Sequence, residues 1–177
     1  DVAWAIAFMV NTFIRPSDLK IMRHRYVEEV RGSHVYLRMN LPETKRHDKP
    51  VVSMRAAVRI YGALKAAGAK LGAGGPDDYL FLPQVANREH ALAVLNFHFQ
   101  WVLKECGLTY GPLGQRRTLY SLRHTAISFR LLYGQGIDML TLARNARTSV
   151  QMIERFYAAS LSGEMNVGLL HSRGATK

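Results

Sequence analysis

A mainly helical α+β fold, a helical bundle carrying a small three-stranded antiparallel sheet, is what this sequence predicts. Three observations carry it. Apolar residues recur at three- and four-residue intervals through most of the chain, as in Val2, Ile6, Met9, Val10 and Phe13. Between Tyr26 and Met54 the period shortens to alternation. Pro, Gly, Asn and Asp fall at the joints between these stretches, where they cap helices or close turns.

Taken in order, residues 2–13 read as a helix, and Pro16 suits the first turn of a second one, with Asp18 favourably placed near its positive end. Arg15 stands just before that turn, where an arginine can reach an anion near a helix start or pair with Asp18 or Glu28. VEEV, a Gly32-Ser33 turn, HVYLRMN and KPVVSM read as three short antiparallel strands. The polar loop Pro42–Lys49 joins the last two; such a charged tip is either simply solvated or holds a lysine toward a ligand. Residues 55–71 form an Ala-rich helix with Val58, Tyr61, Leu64 and Leu71 inward, and YLFLP after it is a short apolar segment. Asn87 can cap a helix over 88–106 whose core face is Leu92, Leu95, Phe99, Val102 and Leu103. His90 and His98 on it read as structural or surface residues, because no carboxylate or thiol is placed to complete a metal site. A loop ending in Gln115-Arg116-Arg117, solvated or phosphate-contacting, precedes the central amphipathic helix, which carries Arg123, His124 and Arg130 and closes at Gly134 and Gly136. Asp138 and Ser149 can cap two further short helices, the second of which turns Tyr157 either into a core or into a cleft. The segment after Tyr157, around Met165–Leu170, is too short to be stable as an isolated helix and has to pack on this chain or a neighbour.

With 177 residues, 48% of them apolar, the chain suffices for one domain with a real core. Its 24 Lys and Arg against 13 Asp and Glu leave a formal charge of +11, which suits either a polyanionic partner or a generically basic surface. The single cysteine, Cys106, cannot form an internal disulfide and fits a reducing compartment. No apolar run reaches the roughly 18 residues of a membrane span, and no signal peptide is visible.

The segments YSLRHTAIS and LARNARTSVQMIERFY, preceded in order by NTFIRPSDLK and LPETKRHDKPVV, resemble the catalytic domain of the tyrosine recombinase (phage integrase) family. The resemblance covers most of the chain. It implies an integrase-like fold and site-specific cutting and rejoining of double-stranded DNA through a 3′-phosphotyrosyl intermediate, without metal or cofactor. It places the two phosphate-holding arginines at Arg15 and Arg123, the general-acid lysine at Lys45 with Lys49 as the alternative, and the nucleophile at Tyr157, ahead of its neighbour Phe156. Lys49, Arg116, Arg117 and Arg147 are added as candidate DNA-contacting cations. It further implies that residues 1–177 are the catalytic part of a longer protein whose smaller DNA-clamping domain is absent. The implied setting is a prokaryotic cytoplasm or a mobile element, and the implied assembly a homo-oligomer on DNA whose C-terminal tails dock on neighbouring protomers.

The residue types suit that chemistry. Guanidiniums are planar, permanently charged and fork-shaped, and so match phosphate oxygens. An ammonium can give up its proton to a departing 5′ oxygen. Two positions depart from the family pattern: Tyr120 stands where its histidine usually does, and Thr148, preceded by Arg147 instead of glycine, stands where a later His or Trp does. A phenol is a poor base at neutral pH, and a threonine hydroxyl can donate one hydrogen bond. These substitutions keep open a non-catalytic DNA-binding descendant. A type IB topoisomerase is the alternative within the same chemistry.

Overall fold

The computed structural model describes residues 1–42, 49–134 and 136–157. Its order is α1 (Val2–Thr12), α2 (Pro16–Ile21), β1 (Val27–Val30), β2 (Tyr36–Met39), β3 (Val51–Val52), α3 (Ala56–Lys70), α4 (Arg88–Glu105), α5 (Leu119–Tyr133), α6 (Met139–Asn145) and α7 (Val150–Tyr157). It is a mainly helical α+β fold, as the periodicities require. Two compact units divide the chain, residues 1–126 and 127–177, with the boundary inside α5.

In the first unit the caps are those expected from sequence. Pro16 is the first residue of α2, and the Asp18 carboxylate accepts the Arg15 backbone N–H at 2.7 Å, closing the helix start on itself. The Asn87 side chain accepts the His90 N–H at 3.1 Å at the head of α4. The sheet order is β1-β2-β3, antiparallel throughout, with Val27 opposite Met39 and Met39 opposite Val51. Leu37, Met39 and Val51 turn to the core, where they join Phe8, Met9, Leu19, Tyr61, Leu64, Leu95 and Phe99. The sheet is thus the floor of a helical bundle.

The apolar segment YLFLP forms no strand. Its Leu80 and Phe81 are buried, Phe81 meeting Phe8 edge to face with ring centroids 5.7 Å apart; its backbone is held by the Leu80 N–H donating to the Met22 carbonyl at 3.0 Å and by one side chain. The Arg88 guanidinium donates to the carbonyls of Phe81 at 2.8 Å, Leu82 at 3.0 Å, Val85 at 2.8 Å and Lys20 at 2.6 Å, and lies 3.9 Å from the Tyr79 ring centre. This one arginine ties the segment before α4 to the end of α2. Its four charge-assisted bonds satisfy carbonyls that no strand ladder reaches, two of them, Phe81 and Leu82, in this segment.

In the second unit α5 is followed by Gly134, where a Cβ would stand 2.1 Å from the Arg130 carbonyl oxygen. Asp138 caps α6 by accepting the Thr141 N–H at 2.8 Å and the Leu140 N–H at 3.3 Å, and these bonds hold its carboxyl below the usual carboxylate range. The Ser149 hydroxyl accepts the Met152 N–H at 3.2 Å to start α7. Among the described residues no helix is long and apolar enough to cross a membrane, and no group of three or more His, Cys, Asp or Glu could hold a metal ion.

Truncating Phe8, which is fully buried, to Ala is expected to cost about 3–5 kcal/mol. Phe97→Ala on the open face of α4 should cost under about 0.5 kcal/mol. Urea unfolding midpoints measured for both variants check the placement of the core.

Candidate phosphate-binding site

The site is built on the connection between α1 and α2. Phe13 ends α1 in the left-handed region, φ 59, a conformation that costs a bulky residue about 1–2 kcal/mol. That turn directs its carbonyl oxygen to the Arg123 guanidinium, whose Nη1 donates to it. Arg123 is only 2% exposed, the largest fully buried side chain among the described residues. A buried cation is tolerated only where it finds acceptors, so this bond between residues 110 positions apart fixes α5 against the head of the chain. Arg15 follows two residues after Phe13, which keeps its Cα within about 7 Å of the Phe13 Cα. It is half-buried, its backbone locked as the cap of α2. The two arginines selected from sequence are therefore held by the same short stretch of backbone.

Tyr120 lies one helical turn before Arg123 on α5 and is 44% exposed, its ring meeting His124 edge to face with centroids 5.2 Å apart. His124 is half-buried, and burial, with a smaller contribution from the Arg123 charge, pushes its pKa below the usual histidine value. Beside them runs a groove of about 390 Å³ lined by Pro16, Glu89, Asn96, Thr118, Leu119 and Tyr120, among others. Glu89, Asn96 and Thr118 gave no signal in the sequence, being ordinary polar residues on a helix face and in a loop.

Of the cations proposed from sequence in this unit, Arg117 is committed to structure. Its Nη1 donates to the carbonyls of Leu108 at 2.8 Å and Tyr110 at 2.7 Å, stapling the loop before α5. Arg116 is exposed and donates through Nε to Gln100 at 3.2 Å. Lys49 is exposed at the edge of the sheet loop. Lys45 lies outside the described residues, as does the tail after Tyr157 expected to dock on a neighbour.

In the second unit, α6 ends in a tight hydrogen-bonded turn. The Thr148 N–H bonds the Ala143 carbonyl at 2.9 Å and the Arg147 N–H the Arg144 carbonyl at 3.1 Å. Arg147 occupies the left-handed position of this turn, φ 52, where glycine is favoured, and is 2% exposed. Thr148 is half-buried next to it. Tyr157 is the last residue of α7 and only 6% exposed, whereas Phe156 beside it is 54% exposed. Between the core and the cleft that the sequence left open for Tyr157, the structure takes the buried position.

No family model matches the sequence, and no curated protein matches it. Among solved structures the chain is similar to the Tn1549 transposon integrase determined in complex with transposon right end DNA, with a TM-score of 0.55 and 17% identity, over 94% of this chain. The chain has an integrase-like fold. It spans 57% of the length of that integrase chain.

Stability should depend on pH through the buried His24 and the half-buried His124. The pKa of His124 is lowered chiefly by burial, and so is that of His24, whose Nδ1 lies 3.2 Å from the Tyr61 hydroxyl. The unfolded chain then takes up these protons first, so stability is complete above the ordinary histidine pKa of about 6.5 and is lost as pH falls below it. Melting temperatures at descending pH should drop through that window, and less so in His24→Gln/His124→Asn; an unchanged slope in the double variant contradicts this.

Proposed function

We propose that this chain cuts and rejoins double-stranded DNA as a site-specific recombinase, acting in integration or excision of a mobile element. The observation that carries the reading is the buried Arg123 guanidinium bonded to the backbone two residues from Arg15. The reading is supported by the fold it shares with an integrase solved on DNA, and by the +11 charge of the chain.

In this mechanism Arg15 and Arg123 hold the non-bridging oxygens of one phosphate and stabilise the charge that grows there as the nucleophile adds. The Tyr157 phenolic oxygen attacks phosphorus, and the bond to the 5′ oxygen breaks. Lys45 protonates that oxygen as it leaves. The phenolic proton passes to water, since Tyr120 is a poor acceptor at neutral pH. Thr148 gives one hydrogen bond to a phosphate oxygen. The phosphotyrosyl bond conserves the energy of the broken ester, so attack by another 5′-hydroxyl reseals the strand. Tyr157 must leave its buried position to act. α7 is eight residues long and buries only Ile153 and Tyr157, and such short elements with few buried contacts open at small free-energy cost. The working assembly is a homo-oligomer on DNA in a prokaryotic cytoplasm, with C-terminal tails docked between protomers.

A second reading, a DNA-binding protein without catalysis, is favoured by the burial of Tyr157 together with Tyr120 and Thr148. A nicked suicide substrate separates the two. The recombinase reading expects a covalent protein–DNA adduct that is lost in Tyr157→Phe and falls about 100- to 1,000-fold in Arg123→Ala. Failure to form any adduct across a range of salt, with DNA still bound, would establish the binding module. Plasmid relaxation by protein that stays monomeric would point to a topoisomerase.

A further inference from the structure

Three features were left unused by the candidate site. Phe97 and Trp101, one helical turn apart on α4, are exposed, as are Leu108 and Leu113 in the loop after it, but nothing identifies what would cover them. The Arg23–Tyr79–Arg88 stack is consumed in holding the segment before α4. The third is a basic trough at one end of the sheet.

This trough has a volume of about 850 Å³ and runs between the start of α1, the turn between β1 and β2, and the first turns of α3. Arg31, Arg55 and Arg59 supply its charge, and none of its lining residues is acidic. Arg31 is paired with Glu29, whereas Arg55 and Arg59, both exposed, make no ion pair or hydrogen bond through their side chains with a described residue. The first turn of α3 carries no acidic side chain, so its positive end adds to the field. A second hollow of about 710 Å³ shares Val35 and Arg55 with the first and continues over the turn past Tyr36 and Ser53. The two together make an extended channel, longer than a single anion needs.

Its bed is aliphatic. Val35, Val58 and Ile60 are half-buried along it, and Trp4, 38% exposed, forms one wall. The channel's large aromatic side chains are Trp4 in one hollow and Tyr36 in the other, too few for the run of stacking faces that successive bases need. A protein segment with alternate acidic and aliphatic residues matches both the charge and the bed.

We propose that the channel edged by Arg31, Arg55 and Arg59 is a docking site for an acidic, aliphatic-rich segment of a partner protein. Trp4 reports on it directly in a Trp101→Phe chain, where it is the sole tryptophan. A synthetic peptide alternating glutamate and leucine should shift Trp4 fluorescence saturably. The affinity should fall about tenfold or more in Arg55→Glu/Arg59→Glu, with the circular dichroism spectrum and melting temperature preserved. If the double variant melts early, Arg59→Glu alone carries the same test. Absence of a saturable shift overturns the proposal, as does a shift that survives the charge reversal. Equal binding by the peptide with serine in place of leucine, or by a duplex oligonucleotide, would make the channel a general polyanion surface and would also overturn it.

Discussion

A guanidinium taken out of water must be given acceptors, and the arrangement of the first compact unit follows from how Arg123 receives one. The acceptor is the carbonyl of Phe13, a residue 110 positions earlier in the chain. For that carbonyl to point at α5, α1 has to end in a left-handed turn at a bulky aromatic, and the chain has to restart at once as α2. Pro16 and Asp18 make the restart possible, the first by its fixed φ and the second by accepting the Arg15 N–H. The strain at Phe13 is therefore offset by a charge-assisted bond inside the core, where low polarity makes such bonds strong. Arg15 inherits a fixed backbone from this construction. In the proposed clamp the two arginines act on one phosphate because one stretch of backbone holds both.

The second unit shows the same economy at a different joint. The turn after α6 has the hydrogen bonds of a glycine-terminated helix, yet Arg147 occupies the left-handed position and is buried. Such a backbone costs a residue with a side chain about 1–2 kcal/mol, which the packing around it has to offset. In the proposed mechanism the strained turn also sets the backbone of Thr148, the residue that follows.

The helices and strands were legible by their apolar period, and several helices are marked a second time by a cap. Asn87, Asp138 and Ser149 cap the helices that the apolar spacing delimits. YLFLP was legible only as a short apolar segment, because the partners of its backbone are distant in sequence or are side chains: the Met22 carbonyl takes the Leu80 N–H, and Arg88 reaches back to the Phe81 and Leu82 carbonyls. In the site, Arg15 and Arg123 could be chosen by resemblance, but their structural tie could not. Local sequence says nothing about a contact across 110 residues, and left-handed backbone is expected at Gly or Asn, not at Phe13 or Arg147. The commitment of Arg117 to its own loop was hidden for the same reason: a carbonyl acceptor leaves no mark on residue type. Tyr157 was left open between core and cleft because the end of a short amphipathic helix is compatible with both.

The central claim is that Arg15 and Arg123 operate as one phosphate clamp. A double-mutant cycle with Arg15→Lys and Arg123→Lys tests it most directly, reading the rate of covalent adduct formation on a nicked substrate after each variant is shown to fold. Lysine keeps the charge and removes the fork, so the cycle isolates shared holding of one phosphate. The clamp requires strong non-additivity, the double variant being little slower than the worse single one. Losses that multiply, as for two independent cations, would contradict the account.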